Sequence, residues 1–210
     1  LRFATVVAEF GIACEACHGP GQEHVVANTD PRRRYRLHLE ARGDRTIVNP
    51  RDLPHQRSAE VCGQCHAVRF QNAQPATYRP GDELAQHATL IRGALRDPAH
   101  SQREEPRMRV LLAGLEEDPA YWRSLFWSDG QVRVSGREFS GLRESPCFQR
   151  GEISCVSCHA LHQQPGDVRA PADWANDQLG LGMQGNTACT QCHRGFAAPE
   201  ALAAHTHHSA

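Results

Sequence analysis

The chain has little with which to fill an ordinary core. Only 6% of its 210 residues are aromatic, and its mean hydropathy is −0.57. An apolar interior built from polypeptide alone is therefore thin. Lysine is missing altogether: all 23 cationic side chains are arginine. The net charge is −1, which gives no excess of positive charge to draw in nucleic acid. The cluster Arg32-Arg33-Arg34 with Arg36 is accordingly read as a solvated or anion-facing loop rather than a nucleic-acid patch. No stretch approaches the roughly 18 apolar residues of a membrane span. No signal peptide stands at the start, which is Leu1 rather than Met. Methionine is nearly absent too, with only Met108 and Met183.

Cysteine and histidine are plentiful. Eight of the nine cysteines fall in one repeated pattern, C-x-x-C-H. Its copies are Cys14–His18, Cys62–His66, Cys155–His159 and Cys189–His193. This is the attachment signature of c-type haem. Two thiols add across the vinyl groups, and the histidine after the second thiol reaches the iron from the proximal side. Two intervening residues put both sulfurs on one turn. Structural zinc uses paired C-x-x-C units, but zinc gives no reason for a histidine after every second cysteine, and the gaps between copies are irregular. A disulfide framework does not explain the histidines either, and a thioredoxin-like pair occurs once rather than four times. The pattern therefore predicts four covalent haems c.

Four porphyrins would supply the missing apolar core. The expected fold is mainly α with much irregular loop and little β-sheet: a haem-cored multihaem cytochrome c fold, with residues 1–210 as a single tetrahaem domain. The motifs are expected on helices of one or two turns. The alternation of Tyr35, Leu37 and Leu39 with Arg36 and His38 predicts a short extended piece. Leu84, Ala88, Ile91 and Leu95 recur at helical spacing and predict a helix over 82–95, capped by Asp82. Met108 to Leu115 reads as helical. Asp118 as N-cap with Pro119 at the first position starts another helix, with Trp122, Leu125 and Phe126 on its apolar face. Gln131 to Ser135 reads as a short strand. Pro199 to His208 reads as a final helix. Cys147, the odd cysteine, is expected to be a buried, inert thiol.

Each iron with a proximal histidine needs a sixth ligand or an open site. Two methionines cannot serve four haems in the Met/His manner. Nine histidines lie outside the motifs, which is enough for bis-histidine ligation. His24 follows the Gly19-Pro20-Gly21 hinge, which can carry it to a neighbouring haem. His162 is three residues after His159, too close for both to clamp one porphyrin, so it is a candidate for an adjacent iron. His205, His207 and His208 form a cluster from which one or two can ligate. His87 is either a ligand or a satisfied core histidine. His38, His55 and His100 are read as solvated loop residues. Arginine forks suit haem propionates. Eight propionates would carry the loaded protein to a charge of roughly −9.

Beyond the motifs, the stretches CEACHGPGQEH, AEVCGQCHAVR, YRPGDEL, DGQVRVSGREFSGLRESPCFQRGEISCVSCHALH, GNTACTQCH and AAHTHH cover much of the chain. Together they resemble the exported multihaem c-type cytochromes related to the nitrification tetrahaem cytochrome, often joined to tetratricopeptide repeats. The resemblance implies distal-ligand roles for His24, which follows C-H-G-P-G, and His162, in C-H-x-x-H. It also matches the histidine-rich end, His205 to His208. Relatives usually follow H-T-H-H with another C-x-x-C-H. Here Ser209 and Ala210 follow instead, which leaves open a longer chain with a fifth haem or a repeat domain. No tetratricopeptide pattern appears in these residues.

Three functional classes follow. The leading one is an electron carrier with closely spaced, mostly bis-histidine haems. The alternatives are an oxidoreductase with one open-site haem acting on a small nitrogen or sulfur compound, and a subunit of an extracellular cytochrome filament. The expected partners are redox proteins, including other multihaem cytochromes or copies of this chain, with no nucleic acid and no membrane span. Covalent haem attachment takes place outside the cytoplasm, so a periplasmic or extracellular location is expected.

Overall fold

The computed structural model describes residues 6, 11–72, 77–96, 99 and 106–206. It is mainly helical, with 52% helix and 5% strand. The chain divides into two compact units, Leu1–Ile153 and Ser154–Ala210.

The first unit opens with short helices α1 (Cys14–His18), α2 (Gln22–Ala27) and α3 (Pro31–Leu39). Helix α3 replaces the expected extended piece. Asp30 caps it by accepting from the Arg32 N–H at 2.9 Å, and Pro31 fills the first helical position. Among the described residues no strand pairs with the Tyr35/Leu37/Leu39 alternation, and Tyr35 and Leu39 remain exposed. Helix α4 (His55–His66) is the longest element near the motifs. Strands β1 (Arg69–Gln71) and β2 (Ala88–Leu90) form one antiparallel pair, with Arg69 opposite Leu90 and Gln71 opposite Ala88.

The expected helix over 82–95 is broken into three pieces: α5 (Leu84–His87), β2 and a 3₁₀ turn over Gly93–Arg96. Leu84, Ala88, Ile91 and Leu95 are all buried nonetheless. β-branched Thr89 and Ile91 fit the pleated backbone, and the Ile91 N–H donates to Val68 O at 2.8 Å. Asp82 does not cap a helix. Its carboxylate accepts from the Arg79 N–H in the turn that Gly81 makes at φ +100°.

Helices α6 (Pro106–Glu117) and α7 (Pro119–Leu125) follow the expectation. The Asp118 carboxylate accepts from the N–H groups of Ala120 and Tyr121. They close an ordinary core of Val68, Ile91, Leu95, Met108, Leu112, Leu115, Trp122 and Phe126. The strand expected at Gln131–Ser135 shrinks to a single bridge between Val132 and Phe126. The turn before it bends at Gly130, φ +86°, and Gly93 lies so close to the Gly130 carbonyl that no side chain would fit there. Helices α8 (Glu138–Glu144) and α9 (Pro146–Gln149) pack Phe139 and Phe148 edge to face. Helix α9 turns Phe148 inward and leaves Cys147 exposed, so the expectation of a buried thiol is corrected.

The second unit has a 3₁₀ turn at Cys155–Ser157, then α10 (Pro171–Asp177), α11 (Thr187–Thr190) and α12 (Pro199–Thr206). His159 bridges Leu179. Among the described residues of this unit only Ser154, Ala160 and Gly180 are buried. No large side chain is fully enclosed there, whereas Val168 is 95% exposed and Leu181 55%.

Candidate functional site

All four C-x-x-C-H motifs lie at or beside a short helical turn: α1 itself, the last turn of α4, the 3₁₀ turn at Cys155, and α11. Their eight cysteines are partly or fully exposed. Among the described residues no group of three or more His, Cys, Asp or Glu converges into a metal cage. C-type haem needs no such cage; it needs paired thiols with an imidazole oriented beside them.

The imidazoles are oriented. His18 Nδ1 lies 2.7 Å from Val48 O, and His159 Nδ1 lies 3.2 Å from Asp177 O. His66 Nδ1 lies 3.2 Å from Glu138 Oε2. A backbone carbonyl facing Nδ1 makes that nitrogen the donor, and the tautomer then presents Nε2 as the lone pair. Burial works against the Glu138 carboxylate. Backbone N–H groups at Glu138 and Gly136, together with His66, outweigh it and hold the group below the ordinary glutamate range. His193 has an aromatic neighbour instead, with its ring 6.4 Å from Phe196. Phe196 stacks on His205 at 4.3 Å, so the candidate His205 shares this aromatic cluster with the fourth motif.

His24 is the most firmly held of the proposed distal ligands. Its Nδ1 is 3.1 Å from Asp44 Oδ2, and Asn28 bridges the two. Asp44 is in turn gripped at both oxygens by Arg33, at 2.8 Å each, and by Thr46. The Arg33 guanidinium, with Thr46 and Asn28 adding to it, holds the Asp44 carboxyl well below the usual range. Gly19, at φ +74°, ends α1, and the Gly21 N–H donates to Glu15 Oε1 at 2.6 Å, which fixes the hinge that starts α2. An open cleft of about 1000 Å³ adjoins His24, lined also by Val25, Arg34, Leu37, His38 and Arg42. Its lining mixes imidazoles, guanidinium forks and apolar side chains with the carboxylates of Asp44 and Asp52.

The remaining histidines divide. His87 has Nε2 3.4 Å from Asp82 and its ring edge-on to Tyr78, so its outer nitrogen already faces a carboxylate. His162 is exposed in the loop after the third motif. His38 is on α3 rather than in a loop. His55 starts α4 and places Nε2 3.1 Å from Phe148 O, which corrects its reading as a solvated loop residue. His100, His207 and His208 lie outside the described residues.

The motifs approach one another in pairs. In the first unit, burial and the neighbouring thiols of Cys62, Cys65 and Cys14 push the Cys17 thiol up. In the second, burial raises the Cys158 thiol. Gln191 lowers it and Cys189 and Cys192 raise it. Asp44, Val48, Asp177 and Glu138, which orient the imidazoles, were not anticipated from the sequence. They lie from 18 to 72 residues from their histidines, with no local signal.

The donor set fits covalent haem. A second unit whose described residues enclose no large side chain is held together poorly by polypeptide alone, since domains of this size are marginal even with a good core. Two apolar plates, one anchored at Cys155/Cys158 and one at Cys189/Cys192, would supply that core. No family model matches the chain, and no curated protein or solved structure matches it.

Proposed function

We propose that the chain is a multihaem c-type cytochrome that carries electrons through four closely spaced, mostly bis-histidine haems, in the periplasm or outside the cell. The observation that carries this reading is the oxygen acceptor beside Nδ1 in three of the four motif histidines. An imidazole held this way offers Nε2 in a fixed direction, which suits an axial ligand and serves no purpose for a free thiol pair. Haem c, when attached, supplies a one-electron iron couple whose potential depends on axial ligands, hydrogen bonds and solvent exposure. The protein's share of the work is positional. The cysteines fix each plate, His18, His66, His159 and His193 take the proximal side, and His24, His162 and His205 are the distal candidates. The Asp44 network holds His24 in one orientation.

The test is maturation in a host with c-type haem attachment. Intact mass should show four haems on the chain. Low-temperature electron paramagnetic resonance should show low-spin signals alone. A chain that acquires no covalent haem overturns the reading. A large high-spin signal that moves with nitrite or hydroxylamine would favour an open-site oxidoreductase.

A further inference from the structure

Two glutamines make the same contact in two places. In the second motif Gln64 Nε2 donates to Ala16 O of the first motif at 2.7 Å, and to Val61 O, three residues back, at 2.7 Å. In the fourth motif Gln191 Nε2 donates to Ala188 O, also three residues back, at 3.0 Å. It also lies 3.5 Å from Ser157 O of the third motif and 3.6 Å from Cys158 Sγ. Both glutamines occupy the second position between the cysteines of their motif, and both reach the carbonyl of that same position in the partner motif. Both side-chain N–H donors are thereby occupied at each site.

The bond to a carbonyl three residues back is local and ordinary. The bond across motifs is not dictated by local sequence, because the partners are 48 residues apart in one case and 34 in the other. The surroundings differ too: Gln64 sits on a twelve-residue helix, whereas Gln191 ends a four-residue one. The same clasp is built once in each compact unit.

We propose that Gln64 and Gln191 are positioning residues that lock the haem-attachment motifs into two pairs, first with second and third with fourth. The inference rests on the electron-carrier reading. Cys17 and Cys65 each directly follow a clasped residue, as do Cys158 and Cys192. The second cysteine of each motif, which would form a thioether to its haem, therefore lies next to the hydrogen bond, and the clasp would hold the attachment points of two haems together.

The test uses the full-length, haem-loaded chain with Gln64→Leu, Gln64→Glu and Gln191→Leu. Leucine keeps most of the volume without donors, and glutamate keeps the length without the N–H groups. Loosening a clasp admits water to the two plates it holds, and water favours the charged ferric state. A spectropotentiometric titration should show two of the four potentials moving downward in the Gln64 variants. The other two should move in Gln191→Leu. Haem loss confined by peptide mapping to one pair of motifs would count in the same direction. A shift of a single haem, of all four alike or of none overturns the pairing, as does haem loss spread across both pairs. Should the variants not accumulate, the reduced, diamagnetic wild type carries the test by nuclear magnetic resonance. Two glutamine side-chain amides should then show slowed hydrogen exchange, and rapid exchange at Gln64 and Gln191 overturns the proposal. A wild type without covalent haem fails the electron-carrier reading itself, whereas four haems with unpaired behaviour fail only the clasp.

Discussion

Gly63, inside the second attachment motif, offers a sharp test of how α4 meets α8. A Cβ built there would lie 2.7 Å from Cδ1 and Cε1 of Phe139 and 2.9 Å from Cγ. That is closer by about 0.7 Å than ordinary contact, which starts at 3.4 Å. Phe139 is 2% exposed and is packed edge to face against Phe148, so the ring has little room to retreat. Forcing an extra carbon into such a core costs about 1–3 kcal/mol. Replacing a helical glycine by alanine gains about 0.5–1 kcal/mol. The clash wins, and Gly63→Ala should destabilise by about 1–2 kcal/mol. For a chain of this size that lowers the melting temperature by about 2–8 °C. Gly114 is the internal control: it sits in α6 with nothing within 4 Å of a built Cβ. Gly114→Ala should therefore raise the melting temperature. Circular dichroism melts of both variants and of the double variant Gly63→Ala/Phe139→Leu, in which the smaller side chain relieves the clash, complete the set. A Gly63→Ala protein that melts as high as Gly114→Ala would refute the close helix–ring approach.

Further outcomes follow from the same geometry. His24→Ala should convert one haem to high spin in electron paramagnetic resonance, and Asp44→Ala should weaken the same ligation by about 10–100-fold; unchanged spectra in both would remove His24 as a ligand. The Asp44 carboxyl is held below its unfolded value, so its contribution to stability is present above about pH 4 and fades as pH falls further. Asp44→Asn should thus flatten the acid side of a urea-midpoint profile, and a profile that stays parallel to wild type would show that the network contributes nothing. Leu95 is fully enclosed, so Leu95→Ala should cost about 2–5 kcal/mol in denaturant unfolding, and a cost near zero would place it at the surface.

What could be read from the sequence depended on how far each signal reaches along the chain. The caps were local, and one of the two expected held: Asp118 with Pro119 begins α7 where two N–H groups meet one carboxylate, whereas Asp82 caps no helix. The attachment motifs were local as well, and each lies at or beside a helical turn. Periodicity identified what is buried better than how. Leu84, Ala88, Ile91 and Leu95 all reach the interior, yet through a turn of helix, a strand and a 3₁₀ turn, because strand pairing with Arg69–Gln71 competes with helix continuation. In Tyr35–Leu39 a two-residue alternation lost to the Asp30–Pro31 start signal, and among the described residues no strand pairs with it. The partners of the imidazoles were beyond reach. A carbonyl such as Val48 O carries no side-chain identity, and Glu138 is 72 residues from His66. The recurrence of glutamine in C-G-Q-C and C-T-Q-C was visible in the sequence, but its meaning needed coordinates.

The uneven distribution of ordinary core has a consequence for biogenesis. The first unit encloses leucine, isoleucine, methionine and aromatic side chains in the stretch after its second motif, so part of it can acquire structure as a plain polypeptide. The second encloses almost nothing of its own among the described residues. If the chain carries covalent haem as proposed, that segment would stay open to proteases until the haems are attached. On that reading its survival in the cell would report whether maturation was completed, because a partly loaded chain would be cleaved within this unit rather than persist.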